Sequence, residues 1–140
     1  MRAIAWLLTL LLFSGATLAK ACTPADAEAA ESAVDHLSTW DAVNQAFSDY
    51  GQCDEGSISE GISGAVVSLL ANNWDELPDL TKIISKNPKF EGWVLNHINT
   101  TVDDNDLDKI IKNSDENCPE GNEVFCKKLN ETVLEVFSEY

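Results

Sequence analysis

Between Ser57 and Trp74 the chain reads SISEGISGAVVSLLANNW, with apolar residues at Ile58, Ile62, Ala65, Val66, Leu69, Leu70 and Trp74. That spacing is the stripe of a helix with one face buried. Such a helix must be covered by other elements, and no stretch alternates with period two for long enough to argue for a strand. Gly61 and Gly64 interrupt the opposite face at a conformational cost, which predicts another helix approaching closely at both. Glu60 is the one ionisable residue of the stretch, so it reads as scaffold and not as site.

The flanking segments carry their own helical stripes. Thr23-Pro24 with Asp26 is a capping-box-like start, followed by a thin stripe at Ala27, Ala30, Val34 and Leu37. Ser38 recaps, and a second helix with Trp40, Val43, Phe47 and Tyr50 on one face runs to a stop at Gly51. The tight connection predicts an antiparallel hairpin that returns the chain after Tyr50 to the start of the first helix.

Beyond Trp74 the stripes are Leu77, Leu80, Ile83 and Ile84, then Phe90, Trp93, Val94, His97 and Ile98. Asp103 caps a helix facing inward through Leu107, Ile110 and Ile111. The last helix starts near Pro119 or Gly121 and buries Phe125, Leu129, Val133, Val136 and Phe137. The fold class is therefore all-α, a single compact domain of six to seven short helices. Trp40-Asp41 and Trp74-Asp75 lie 34 residues apart, a tetratricopeptide-like period. The rest of that pattern and a third copy are missing, so the echo reads as coincidence.

The chain opens with MRAIAWLLTLLLFSGATLAKA, which combines a positive start at Arg2, a short apolar run from Ile4 to Phe13 and an Ala19-Lys20-Ala21 cleavage pattern. Residues 1–21 read as a signal peptide and residues 22–140 as the exported domain. The apolar run is too short for a stable membrane anchor. Cys22 directly follows, but Ala19 and Lys20 depart from the leucine and small residue that a lipidation site requires. Cleavage after Ala21 leaves seven lysines against 24 acidic residues, hence a formal charge of −17. Such a surface repels nucleic-acid phosphates and favours a cationic protein partner.

Export makes the four cysteines, Cys22, Cys53, Cys118 and Cys126, disulfide candidates. Sequence allows three pairings. The hairpin favours Cys22–Cys53, and the doubling back of CPEGNEVFC favours Cys118–Cys126. None stands in a C-x-x-C pair, so neither a zinc knuckle nor a thioredoxin-like site is indicated.

Motifs for chemistry are sparse. His97 sits on an apolar stripe, where a histidine is an edge-of-core residue with one hydrogen bond more often than a catalyst, and Asp103 is a carboxylate that could hold its charge. His36 is the only other histidine. No serine elbow, zinc-binding H-E-x-x-H or cofactor motif occurs. The acidic run Asp103-Asp104-Asn105-Asp106-Leu107-Asp108 fits no calcium-loop frame and reads as a negatively charged first helical turn. Asn99-Thr100-Thr101 and Asn130-Glu131-Thr132 are glycosylation sequons.

From Trp74 onward the pattern W-x-x-L-P-x-L, N-P-x-F-x-x-W-V-x-x-H, a helix D-D-x-D-x-x-x-I and C-P with a later cysteine resembles a group of small exported bacterial helical proteins. Its residues here are Trp74, Leu77, Pro78, Leu80, Asn87, Pro88, Phe90, Trp93, Val94, His97, Ile110, Cys118, Pro119 and Cys126. The resemblance implies an envelope location and lends no activity. In size, helicity and disulfide use the chain also looks similar to periplasmic immunity proteins that neutralise cell-wall-degrading effectors. The function expected is a non-catalytic binding or inhibitory protein, periplasmic or secreted, with no cofactor or metal. The alternative is a small-ligand carrier with an apolar pocket lined by Trp40, Trp74, Trp93 and Phe90.

Overall fold

The computed structural model describes residues 20–140. The expected signal segment, save Lys20 and Ala21, lies outside the described residues. Seven α-helices follow in order: α1 (Pro24–Val34), α2 (Trp40–Tyr50), α3 (Gly56–Asn72), α4 (Leu77–Lys86), α5 (Pro88–Asn96), α6 (Asp104–Glu116) and α7 (Glu123–Phe137). Short 3-10 turns at Gly51–Cys53 and Trp74–Glu76 join α2 to α3 and α3 to α4. There is no strand among the described residues, and no described helix is long and apolar enough to cross a membrane.

Helix α3 is the centre, with α1, α2 and α6 packed on it and α7 on α6. It buries more than its stripe, because Ser63, Val67 and Ala71 are enclosed as well. Val66, Val67 and Leu70 meet Val43 of α2, Leu77 and Leu80 of α4, Phe90 and Val94 of α5, Leu107 and Ile110 of α6, and Leu129 and Val133 of α7 in one core. Each such side chain contributes about 1.5–3 kcal/mol of transfer free energy on leaving water.

The close approach expected at Gly61 is real. A Cβ there would collide with Cγ1 of Val34, so only glycine lets α1 lie this near α3. Gly64 is different: it is exposed, with nothing within 4 Å of a Cβ position, and no helix crosses there.

Local signals act at the helix starts. The Asp26 amide donates to Thr23 Oγ1 at 3.1 Å and the Thr23 amide to Asp26 Oδ2 at 3.3 Å, which closes the capping box of α1. Helix α2 is capped by Thr39, whose Oγ1 accepts from the Ala42 amide, one residue later than the Ser38 cap expected. A Thr39 cap leaves Trp40 as the first helical residue, and that indole is 2 % exposed. Asp103 caps α6 by accepting from the Asn105 amide at 2.8 Å. Gly51 does not stop the chain in a left-handed turn. Its φ of −55° carries α2 into the 3-10 turn that delivers Cys53.

Two disulfides close the structure, Cys22–Cys53 and Cys118–Cys126, with Cα separations of 5.0 and 6.1 Å. The first clamps the open end of the α1–α2 hairpin. The second ties the loop after α6 to the first turn of α7, past Gly121 at φ 84°. Helix α7 starts at Glu123, two residues beyond the later start expected, because that loop completes its turn first. Bridges of this kind persist in an oxidising compartment, which agrees with an exported chain.

Candidate functional site

His97 closes α5 and is 3 % exposed, on the apolar side that its stripe predicts. Its polar partners come from far upstream in the chain. Ser63 Oγ lies 2.8 Å from Nδ1, and Asp54 Oδ2 lies 3.1 Å from Nε2 but off the N–H direction, so that contact is electrostatic. The carboxylate beside the ring is therefore Asp54, not Asp103, which is committed to its cap. Asn99 Nδ2 donates to Ser63 Oγ at 3.1 Å, and Trp93 Nε1 donates to Asp54 Oδ2 at 2.8 Å. One polarity fits the Ser63 side of the network: Asn99 donates to Ser63 and the Ser63 hydroxyl donates to Nδ1, which leaves the ring proton on Nε2, beside the Asp54 carboxylate but without a hydrogen bond to it.

Burial pushes the His97 pKa below its ordinary value, against the opposing pull of the Asp54 charge and the Ser59 backbone. The ring is neutral at pH 7. Trp93 packs edge-on against it at a centroid distance of 4.4 Å and stacks on Phe90 at 5.8 Å, with Phe47 closing the cluster.

Serine, histidine and aspartate in sequence are the ingredients of a hydrolase, but the placement is not. Ser63 is 1 % exposed in the middle of the central helix, so no carbonyl substrate reaches its hydroxyl in this conformation. The trio is a buried polar tie joining the turn after Cys53 to α3 and α5. Reading α3 as pure scaffold missed Ser63, because its partners lie 34 and 36 residues downstream.

Of the four aromatic residues named for a carrier pocket, Phe90 and Trp93 belong to the cluster with Phe47, Trp40 is enclosed at the start of α2, and the Trp74 indole donates to the Asn117 carbonyl at 2.8 Å. The sequon amides are also engaged: Asn99 Nδ2 on Ser63, and Asn130 Nδ2 on Asp115 Oδ1 at 2.9 Å.

Charge marks out the surface instead. Residues 21–81 hold twelve acidic side chains and no lysine or arginine, while residues 82–140 hold twelve acidic side chains and seven lysines. Among the described residues the lysine–carboxylate pairs, Lys109–Asp106, Lys127–Glu131 and Lys128–Glu91, all fall in the second set. Glu28, Glu31, Asp35, Asp41, Asp49, Glu55 and Glu60 are exposed and stand without such pairing. A signal for this was present in the sequence, as 61 consecutive residues without a lysine or arginine; a net charge conceals it.

Among the described residues the surface carries two grooves of note. One, of about 400 Å³, runs beside the Cys118–Cys126 bridge and mixes Lys127 with Asp115, Glu123 and Glu131. The other, of about 320 Å³, is lined by Ala33, His36 and Leu37 at the end of α1 and by Ala42, Gln45, Ala46, Asp49 and Tyr50 of α2. No family model, curated protein or solved structure matches the chain.

Proposed function

We propose that this is a non-catalytic exported protein that binds a cationic protein partner, as an inhibitor does, through the anionic face of its first three helices. One observation carries the reading. Between residues 21 and 81 the acidic side chains have no lysine or arginine within that stretch to neutralise them, whereas those of residues 82–140 do. Like charges at this density repel and cost stability, so within the fold they are a burden. A cationic surface laid against them converts that repulsion into attraction and steers association from about a Debye length away, roughly 10 Å at 0.1 M salt. The buried Ser63–His97–Asp54 tie supports the reading by holding the turn after Cys53, and so the base of the hairpin, in place.

A panel of folded basic and acidic proteins passed over the immobilised chain at low and high salt tests this. Retention of basic proteins only, weakening steeply as salt rises, is expected. Equal retention of acidic proteins, or no response to salt, contradicts it.

A further inference from the structure

The geometry points to the α1–α2 groove as the seat of a lysine side chain of that partner, with the stem on its alanine floor and the ammonium at Asp49. This rests on the cationic-partner reading and specifies where the contact is made. Along α2 the lining residues Ala42, Gln45, Ala46, Asp49 and Tyr50 follow one another at helical spacing, so a single face builds the trough. Ala42 and Ala46, with Ala33 opposite, keep it open because none extends past Cβ. Its walls are mostly apolar, His36 and Gln45 apart, as the methylene stem of a lysine requires.

The charged end is defined by two independent features. Asp49 is exposed in the last turn of α2, a turn with no basic residue, so its carboxylate adds to the negative end of the helix dipole. The chain's own cation is already there: Lys20 Nζ donates to the Asp49 carbonyl at 3.5 Å. Lys20 is the only lysine or arginine among the described residues before Lys82. Its charge also helps, behind the larger effect of the Thr23 hydroxyl and backbone, to hold the Asp26 carboxyl below its ordinary value. Gln45 Nε2 braces the Asp49 carboxylate through Oδ2 at 2.8 Å, leaving Oδ1 for an incoming donor. A chain that begins at Cys22 lacks Lys20 and presents this end to a partner's lysine instead.

The test compares two disulfide-bonded, isotope-labelled proteins, one starting at Cys22 and one at Lys20, titrated by NMR with a capped Ala-Lys-Ala peptide. A norleucine analogue and an equal ionic strength of potassium chloride are the controls. The amides of Ala42, Gln45, Ala46, Asp49 and Tyr50 should move with the lysine peptide and stay put with the norleucine peptide. Asp49→Asn should weaken binding about fivefold, and the chain starting at Lys20 should bind about two- to threefold more weakly than the one starting at Cys22. Glu60→Gln, which removes a charge from the same half outside the groove, should change affinity less than about 1.5-fold. Shifts spread evenly over the acidic surface, or equal losses from Asp49→Asn and Glu60→Gln, overturn the groove but leave the cationic-partner reading standing. A lysine peptide that moves no amide beyond the salt control overturns both.

Discussion

Helix α1 buries one residue, Ala30, and carries three carboxylates with no lysine, whereas α7 buries Phe125, Cys126, Leu129, Val133 and Val136 and interleaves its acids with Lys127 and Lys128. Both cover one side of the same core. The last helix is held by apolar burial, and its surface charges are locally balanced. The first is held by a bridge, by the glycine gap that admits Val34, and by its capping box, and its charge is left unbalanced. Anchoring of that kind does not depend on what the exposed face carries, so α1 can stay anionic without an extensive apolar grip. The difference teaches that stability and charge display are separated in this molecule. Both halves supply the core, α3 above all, and the first half adds the unbalanced anionic face.

The bridges give the largest expected contrast. Opening Cys22–Cys53 by a double alanine change frees a chain separation of 31 residues and should cost about 3.5 kcal/mol on loop-closure entropy, against about 2.5 kcal/mol for the 8-residue separation of Cys118–Cys126. Chemical denaturation of the two double variants reads this directly. If the second loss is the larger, α1 does not depend on its bridge.

Next comes the buried tie. His97→Ala opens a cavity and leaves Ser63 without its partner, a cost of about 3 kcal/mol, while His97→Gln should cost less than half of that. The histidine also sets a pH response. Its folded pKa lies below the unfolded value of about 6.5, so the unfolded chain binds a proton that the folded one refuses. The His97 contribution is therefore complete above about pH 6.5 and falls away as pH drops below it. Subtracting the stability curve of His97→Gln from that of the wild type should expose this loss on the acid side; a flat difference would show that the ring titrates alike in the folded and unfolded chains, and a gain on the acid side that the fold favours the charged ring.

The glycine pair sharpens the contrast further. Gly61→Ala forces α1 away from α3 and should cost about 2 kcal/mol, whereas Gly64→Ala, in open space on the same helix, should gain about 0.5–1 kcal/mol. Equal effects would mean that α1 is not locked at Gly61. Smallest of all, Lys127→Ala removes an exposed pair with Glu131 and should change stability by about 0.5 kcal/mol or less.

Much of this architecture was legible in the sequence, where its causes are local. The 3.6-residue stripes give the helices, Thr23-Pro24-Asp26 gives the start of α1, and a short hairpin brings Cys22 to Cys53. Features made by distant segments were not. The carboxylate beside His97 comes from Asp54, 43 residues upstream, and no periodicity links the two. Gly61 and Gly64 look alike along the chain and differ only in what lies opposite. The α1–α2 groove likewise depends on where Ala33 and Leu37 fall once the hairpin has closed.

The central claim is that the first half, not the total charge, meets the partner. Two variants with equal net charge test it most directly: Glu28, Glu31, Asp35 and Asp41 changed to their amides in one, and Asp108, Glu116, Glu120 and Glu135 in the other, all exposed positions. The association rate of each with a basic protein retained by the wild type would be measured at low salt. Neutralising the first set should slow association about tenfold, and neutralising the second less than about threefold. Equal slowing by both would contradict the account.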